Sequence, residues 1–395
     1  MKKTIFRFWM LAAAMLLGLA SCSNKDNPDV PQPLQLADYT IMWYGHGGGN
    51  LDMSLMENMM QFYFADEESY KNVHIATQYK FSSLEDMQQL YEQYKELLGH
   101  YIEPGTPDYE EALKELEIFK AYYPYAGKTA RFVVDREKAF VSGDEDDLAP
   151  TEADMRAFLP DENLDITAPE SLADFINWAA KECPAHKYIL VLSDHGGYLS
   201  HDEIPDAATA LKTRGVMYDD GHDSRHFTAK SLTQAIRHAT VRPSAVYLDA
   251  CLMNTAEYQF ELAPVTDYLV LSTFVVPGEG GSYTDLINAL SDNPDNLEQA
   301  LTRFAKATVD AWDESAAEGA DEEKEDPVYH DMSVYRTADI DGTAKINALW
   351  QNLKAKQPKG TGINRQSPTY DYEMLRIGKI LPKINKEFKA EDTAD

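Results

Sequence analysis

The stretch YILVLSDHGGYL, residues 188–199, joins a buried strand to the polar loop that follows it. Tyr188 to Leu192 is short and continuously apolar, which is typical of a strand in a parallel sheet that is covered on both faces. His195 and two glycines come directly after this strand. Ligand and catalytic sites of open α/β sheets lie at the carboxyl ends of the strands. The pattern therefore predicts an α/β fold and a functional loop at His195.

A second apolar run, Ala245 to Leu248 in AVYLDACLMN, ends in a similar way at Cys251. A single predicted helix, residues 229–239, separates the two strands, so we expect them to be neighbours with their carboxyl ends at one edge of the sheet. Taken singly, His195 and Cys251 are equally consistent with a turn histidine and a buried core thiol. Their joint placement predicts a thiol nucleophile with an imidazole as its base.

Polar groups beside this predicted pair indicate what it would act on. The backbone amides of Gly196 and Cys251 can stabilise an oxyanion. Asp249 lies two residues before Cys251 and therefore points to the same face of the strand. A carboxylate opposes formation of a nearby thiolate unless it meets a cation, and a bound Arg or Lys side chain would supply one. Glu279, in the Pro277–Gly280 turn, can reach the same bound side chain, so we expect Asp249 and Glu279 to line one acidic recess.

Strand-like and helical segments alternate along the rest of the chain, which predicts an α/β sandwich in three layers around a mostly parallel sheet. The predicted strands lie at 39–44, 72–78, 131–134, 188–192, 245–248, 268–272 and 333–335, and the predicted helices at 51–64, 229–239, 255–262, 284–290, 296–312 and 343–353. Residues 83–123 read as a helical insertion broken at Pro104-Gly105. Thr167 and Glu170 form a capping-box pattern before one further helix.

Three other motifs lack the context that their chemistry needs. WYGHGGGN, residues 43–50, resembles an oxyanion loop, but the chain has no G-x-S-x-G elbow to accompany it. Residues 125–129 resemble the end of a phosphate-binding loop, but no glycine begins that motif. His222 and His226 have no further ligands at convincing spacing, so we predict no metal site. We interpret His46 as a loop residue after the first strand.

The first residues predict export and lipid anchoring. Lys2, Lys3 and Arg7 precede a short apolar run, so residues 1–21 read as a signal peptide. The run ends in Leu19-Ala20-Ser21-Cys22, which resembles a bacterial lipobox, and this makes Cys22 the predicted acylation site. Residues 22–37 then read as a tether, and residues 38–395 as a single domain. We expect an exported lipoprotein of the outer membrane, on its periplasmic or cell-surface face.

The net charge indicates which binding partners to expect, and the cysteine count indicates the state of the thiols. The chain carries a formal net charge of −30, or about −33 without the three signal-peptide cations. Such a surface disfavours nucleic acid and attracts basic peptides. Cys183 and Cys251 are the cysteines that remain after Cys22; they could form one bridge, but we expect two separate thiols. We also expect a monomer that needs no cofactor for its chemistry.

The ordered motifs of the chain resemble the clostripain family of cysteine peptidases, which have a caspase-like fold. The resemblance is carried by four segments, at 169–198, 214–220, 247–260 and 267–283, with TIMWYGHGGGNLD similar to the family's first strand and loop. It departs from the family at Ser272-Thr273-Phe274, where members commonly have Ser-Glu-Glu, and at Ser282, where members have a large aromatic residue.

The resemblance implies an endopeptidase with His195 and Cys251 as its dyad, and with Asp249 and Glu279 as the acids that receive Arg or Lys at P1. It also implies self-cleavage within residues 199–214, where Lys212 and Arg214 are the basic residues, and it allows a calcium requirement without assigned ligands. The alternative is a catalytically silent surface lipoprotein that binds basic peptides.

Overall fold

The computed structural model describes residues 35–135, 157–161, 163–197, 215–222, 225–319 and 329–340. The predicted signal peptide, Cys22, the cleavage candidates Lys212 and Arg214, and the helix predicted at 343–353 lie outside these residues. Within the described ranges, no helix has the length and apolarity needed to cross a bilayer.

Seven strands of the described chain form one twisted sheet, in the order β10-β9-β8-β4-β1-β2-β3. They are β1 (Ala37–His46), β2 (Val73–Lys80), β3 (Thr129–Val133), β4 (Ala185–Ser193), β8 (Ala245–Asp249), β9 (Tyr268–Leu271) and β10 (Ser333–Arg336). The five central strands are parallel, and an antiparallel strand closes each edge. The direction of chain growth reverses between β1 and β4, so the crevice at this switch point is the expected place for a site.

Helices cover both faces of this sheet. The helices are α1 (Asp52–Met60), α2 (Leu84–Tyr101), α3 (Pro107–Ile118), α4 (Pro169–Glu182), α5 (Ala229–His238), α6 (Ala256–Leu262), α7 (Tyr283–Asp292) and α8 (Leu297–Gly319). Ile41 and Trp43 of β1 join a core with α1, α7 and α8. Met42 and Tyr44 point the other way, into a core with α4, α5 and α6. Burial on both sides explains the continuously apolar strands.

Local sequence explains where several helices begin. The side chain of Ser83 accepts a hydrogen bond from the Asp86 amide, and Thr228 forms a capping box with Ser231. The capping box predicted from Thr167 is wrong, because α4 begins at Pro169 without a side-chain cap. The hydroxyl of Thr167 instead donates to Asp165.

A small antiparallel sheet lies beside the main one and was not predicted. It consists of β5 (Gly196–Gly197), β6 (Gly215–Asp219) and β7 (Arg225–Phe227), in that order. Two-residue and three-residue strands are too short to give a period in the sequence, so β5 and β7 left no signal.

The predicted fold class is confirmed: the chain is a three-layer α/β/α sandwich around a mostly parallel sheet. Helices α2 and α3 form the helical insertion between β2 and β3. They separate near Gly105, whose φ of +85° suits glycine.

Candidate active site

The carboxyl ends of β4 and β8 lie side by side, as the sequence predicts. The two strands are parallel neighbours, with Ser193 opposite Asp249 at their ends. Gly196 lies against the turn after β8, where a Cβ added at Gly196 would lie only 2.5 Å from the carbonyl oxygen of Cys251 and 3.0 Å from its nitrogen. The segments that carry His195 and Cys251 therefore touch through their backbones, and only glycine permits this approach.

The ring of His195 is held by the loop after β1. Its Nε2 lies 2.7 Å from Oδ1 of Asn50, an atom that can only accept, so Nε2 donates. The ring also forms a hydrogen bond with the backbone of Gly48. Gly48 has a φ of +55°, and a Cβ there would lie 2.9 Å from Cδ2 of His195. Burial lowers the pKa of His195, and the bond to Gly48 opposes this effect.

The thiol of Cys251 contacts the segment after β9. The amide of Val276 donates to Sγ at 3.4 Å, and the thiol faces the Val276 carbonyl at 3.8 Å. Burial raises the pKa of the thiol, and the charge of Asp249 adds to the increase. Both groups are thus biased toward their neutral forms, and within the described residues no hydrogen bond joins thiol to imidazole.

Strained backbone conformations occur beside His195 and Cys251. Among the described residues, Met217 and Leu252 are the non-glycine residues with positive φ, at 60° and 62°. Leu252 follows Cys251, and the amide of Met217 donates to the carbonyl of His195 at 3.0 Å. Strain of this kind costs about 1–3 kcal/mol per residue and is common at functional sites.

The Asp249 carboxylate is buried beneath this rim and accepts four hydrogen bonds. The donors are the hydroxyls of Tyr247 at 2.7 Å, Tyr283 at 2.5 Å and Ser193 at 3.3 Å, and the amide of Gly281 at 3.3 Å. Burial raises the pKa of Asp249, and these hydrogen bonds act against the increase. Four hydrogen bonds therefore hold the Asp249 carboxylate in place beneath the end of β8.

Glu279 lies nearer the surface, where it accepts from the hydroxyl of Ser315 at 2.8 Å. Glu57 of α1 is its acidic neighbour. Although the Glu57 side chain reaches solvent, desolvation by the surrounding protein and then the charge of Glu279 raise the pKa of Glu57 to about 7. Tyr94 of α2 feels the charges of both carboxylates and hydrogen-bonds to Ser54. The helical insertion thus borders the acidic side of the site.

His46 is a structural residue. It is the last residue of β1 and only 1% exposed. Its Nδ1 lies 2.9 Å from the carbonyl oxygen of Lys80, to which it donates. Burial lowers the pKa of His46 to about 4, which keeps the ring neutral. The ring therefore joins the ends of β1 and β2.

A second polar cluster lies at the end of β6. Ligand atoms of Asp165, Asp219 and His222 lie within 4.8 Å of one another, a spacing that suits a metal ion. The ammonium of Lys80, however, lies 2.7 and 2.8 Å from the two oxygens of Asp219. It also lies 3.4 Å from Nδ1 of His222. The Lys80 ammonium group thus already neutralises the Asp219 carboxylate, and the cluster does not fit a metal ion.

The departure from the family pattern after β9 has a structural counterpart. The carboxylate of Asp331 accepts from the amide and hydroxyl of Thr273, both at 2.7 Å, and from the amide of Phe274 at 3.2 Å. A carboxylate from a distant segment of the chain thus lies against Thr273 and Phe274. The side chain of Phe274 is 43% exposed and packs near Tyr329, so this rim is partly apolar.

Sequence reasoning missed two groups at the site, Asn50 and Glu57. They come from the β1–α1 region, whose contact with His195 and Glu279 is fixed only by the tertiary fold. The GGGN loop after a buried strand was a usable signal for Asn50.

A histidine and a cysteine at the carboxyl ends of neighbouring central strands, with a glycine after the histidine packed against the cysteine backbone, are typical of hydrolases that use a cysteine nucleophile. The comparison with known proteins agrees. The chain belongs to the clostripain family of cysteine peptidases, whose model, the peptidase C11 model, matches residues 143–380, more than half of the chain. The family predicted from the sequence motifs is confirmed.

Individual relatives match more distantly. Clostripain from Hathewaya histolytica is 30% identical over 143 residues, which cover 33% of this chain and 26% of clostripain, so the match spans about a quarter of that protein. Among solved structures, the secreted C11 cysteine protease iotapain from Bacteroides thetaiotaomicron has a TM-score of 0.49 at 14% identity, over 81% of this chain and 71% of that one. An inactive zymogen C11 protease from Parabacteroides distasonis has a TM-score of 0.44 at 16% identity, over 82% and 68%.

Proposed function

We propose that the protein is a cysteine endopeptidase that cleaves peptide bonds after Arg or Lys, with His195 and Cys251 as its dyad. The observation that carries this proposal is the backbone contact between Gly196 and Cys251, at the ends of adjacent strands. This contact supports a site in which the Cys251 thiol and the His195 imidazole both reach one scissile bond.

The reaction follows from the two groups. His195 takes the thiol proton as Sγ bonds to the carbonyl carbon, and the backbone amides of Gly196 and Cys251 stabilise the oxyanion. The carbon–nitrogen bond then breaks, and the imidazolium protonates the leaving amine. Water, deprotonated by His195, releases the acid product and regenerates the thiol. Because burial raises the pKa of Cys251 and lowers that of His195, we infer that the proton moves only when substrate is attacked.

Specificity for a basic P1 residue is supported by the acids around the thiol. Asp249 supplies negative charge from below, and Glu279 with Glu57 supplies it from the side. Burial strengthens the attraction between Asp249 and a cation, because the effective dielectric constant is lower there.

Self-cleavage at Lys212 or Arg214 belongs to the same proposal. The cleavage segment connects Gly197 to Gly215, and these residues are opposite each other in the β5–β6 pair. A cut between them would leave β5 and β6, the strands on either side of the segment, paired in one sheet beside His195, so the product would stay assembled. For the N-terminal region we propose a cleaved signal peptide and acylation of Cys22, which anchor the domain to the outer membrane.

The proposed function is tested by hydrolysis of fluorogenic peptides that differ only at P1. The purified domain is expected to cleave peptides with Arg or Lys at P1 at least about 100-fold faster, by kcat/KM, than those with norleucine, since a charged group is matched in a desolvated recess. Rapid labelling of Cys251 by an Arg-bearing peptidyl electrophile is expected as well. Binding of basic peptides without turnover or labelling would instead identify a catalytically silent binding lipoprotein.

The acidic side of the recess gives the specificity a pH dependence. Glu57, with a pKa of about 7, is neutral below that pH and negative above it. Glu279 and Tyr94 are the titratable groups around it. The Kd of agmatine, measured by calorimetry, is expected to fall about threefold between pH 6 and pH 8, as for one exposed charge pair. Glu57→Gln should lose this component, and an unchanged pH profile in that variant would exclude Glu57 from the recess.

A further inference from the structure

The glycine-rich loop after β1, residues 47–50, is a motif to which the sequence alone assigns no chemistry. Two of its amides are bound by the segment at the end of β2. The amide of Gly47 donates to the carbonyl of Lys80 at 3.0 Å, and the amide of Gly49 donates to Oγ of Ser82 at 2.9 Å. One side of the loop is therefore fixed to the main sheet.

A buried carboxylate holds the same segment from below. Asp52, the first residue of α1, is 0% exposed. Its Oδ1 accepts from the hydroxyl of Tyr79 at 2.6 Å and from the amide of Ser82 at 3.2 Å. A Cβ on Gly47 would lie 2.3 Å from this oxygen and 2.4 Å from Oγ of Ser82, so the loop packs directly on both side chains. The protein core thus determines where the loop lies.

The other side of the loop contacts the candidate base. Oδ1 of Asn50 lies 2.7 Å from Nε2 of His195. A Cβ on Gly48 would lie 2.9 Å from Cδ2, the ring carbon that is bonded to Nε2, so the loop borders this edge of the ring. An amide oxygen only accepts, and it therefore keeps the single proton of a neutral imidazole on Nε2. The lone pair is then on Nδ1, which is the nitrogen left to accept a proton.

We propose that Asn50 is a positioning residue, which holds the Nε2–H group of His195 so that Nδ1 is the atom that exchanges a proton with the thiol. This inference rests on the proposed function and adds a third residue to its dyad. Nδ1 takes the thiol proton as Sγ bonds to the carbonyl carbon, and returns it to the amine nitrogen as the carbon–nitrogen bond breaks. The hydrogen bond to Oδ1 orients the ring throughout, and because the acceptor is neutral, the imidazolium still releases its proton readily.

Asn50→Ala removes this acceptor and leaves the backbone contacts of the loop in place. The ring can then turn and exchange its tautomers, so kcat for Arg-P1 peptides is expected to fall about 10- to 100-fold, with KM changed less than about twofold. Because the side chain of Asn50 is exposed, the midpoint of urea unfolding should stay the same.

Asn50→Asp distinguishes positioning from a merely structural role. A carboxylate accepts the same hydrogen bond, but its charge raises the pKa of His195, and a protonated ring cannot act as a base. The acid limb of the kcat/KM profile is therefore expected to move up by about one pH unit, with more activity above it than Asn50→Ala retains. Asp194, His46 and the Cys251 thiol are the titratable groups nearest the ring in the described chain, and both variants retain them.

Asn177→Ala is the matched control. Oδ1 of Asn177, in α4, accepts from the amide of Thr240 at 2.6 Å and from its hydroxyl at 2.7 Å, so this variant also loses an asparagine acceptor. It should retain the kcat and the pH profile of wild type. An Asn50→Ala enzyme that is as active as wild type, or more active, would overturn the inference. A pH profile of Asn50→Asp that coincides with that of wild type would do so as well.

The chemical shifts of the ring nitrogens, in protein with isotope-labelled histidine, test the positioning without turnover. The signals of His195 are assigned by their loss in His195→Ala. Wild type is expected to show the Nε2–H tautomer at His195, and Asn50→Ala a mixture of both tautomers. An Nδ1–H tautomer in wild type would contradict the inference. An Nε2–H tautomer that depends on Asn50, in a protein without peptidase activity, would refute the proposed function and still support the orienting role of Asn50.

Discussion

Replacing Cys251 by alanine is expected to lower kcat/KM for Arg-P1 peptides by at least about 10³-fold, because the acyl-enzyme cannot form without its nucleophile. The fold should be retained, since the thiol contributes two long contacts to the backbone of Val276. Initial rates on the fluorogenic peptides measure the loss, and unfolding in urea measures the stability. The variant should also remain a single chain when wild type acquires a new N-terminus at Thr213 or Gly215.

Cys183 provides the matched control for this experiment. It is the second free thiol of the described chain, it is buried at the end of α4, and burial raises its pKa to about 12. Cys183→Ala is expected to cost about 1 kcal/mol of stability and to leave the peptidase activity and the electrophile labelling intact. Full activity in Cys251→Ala, or labelling that moves to Cys183, would refute the assignment of the nucleophile.

The two strands that carry His195 and Cys251 could be predicted from the sequence, because the signals for them are local. Continuous apolar runs predict β4 and β8, and the residues that follow each run place His195 and Cys251 at one rim without further information. The parallel register of Ser193 with Asp249 confirms that prediction. Clostripain-family membership follows from the same motifs, since they lie in the segments that form the rim.

The surroundings of His195 and Asp249 could not be predicted from the sequence, because they depend on long-range contacts. Asn50 and His195 are 145 residues apart, and no periodicity connects them. The burial of Asp249 by Tyr283 depends on how α7 packs against β8. Tyr247 is the exception, because it lies two residues before Asp249 on one strand, and period-two reasoning would place both on the same face.

A buried ion pair links the small sheet beside His195 to the main sheet. Lys80 ends β2 and Asp219 ends β6, and their side chains are 5% and 0% exposed. Lys80 also donates to the carbonyl of Leu164 at 3.0 Å. The preceding residues of β6 donate through their amides to the His195 carbonyl and to the carboxylate of Asp194. We therefore expect the ion pair to help hold β6, and through it the backbone of His195, in place.

Lys80→Met is expected to destabilise the protein by about 3–5 kcal/mol, because it leaves the carboxylate of Asp219 buried without its cation. Peptidase activity should fall as well, although neither dyad residue is changed. The double variant Lys80→Met/Asp219→Asn should recover much of the stability, since no charge then remains buried. The free energy of unfolding in urea distinguishes these outcomes.

Lys71→Met is the matched control, since Lys71 forms a pair of similar length with Glu68, at 2.6 Å, but the two side chains are 65% and 80% exposed. Exposed pairs contribute about 0–1 kcal/mol, so this variant should unfold nearly as wild type does. A Lys80→Met protein that is no less stable than Lys71→Met would mean that the buried pair does not hold β6 in place. The position of His195 would then have to depend on Asn50 and Gly48 alone, and Asn50→Ala would be expected to lower activity more than Lys80→Met does.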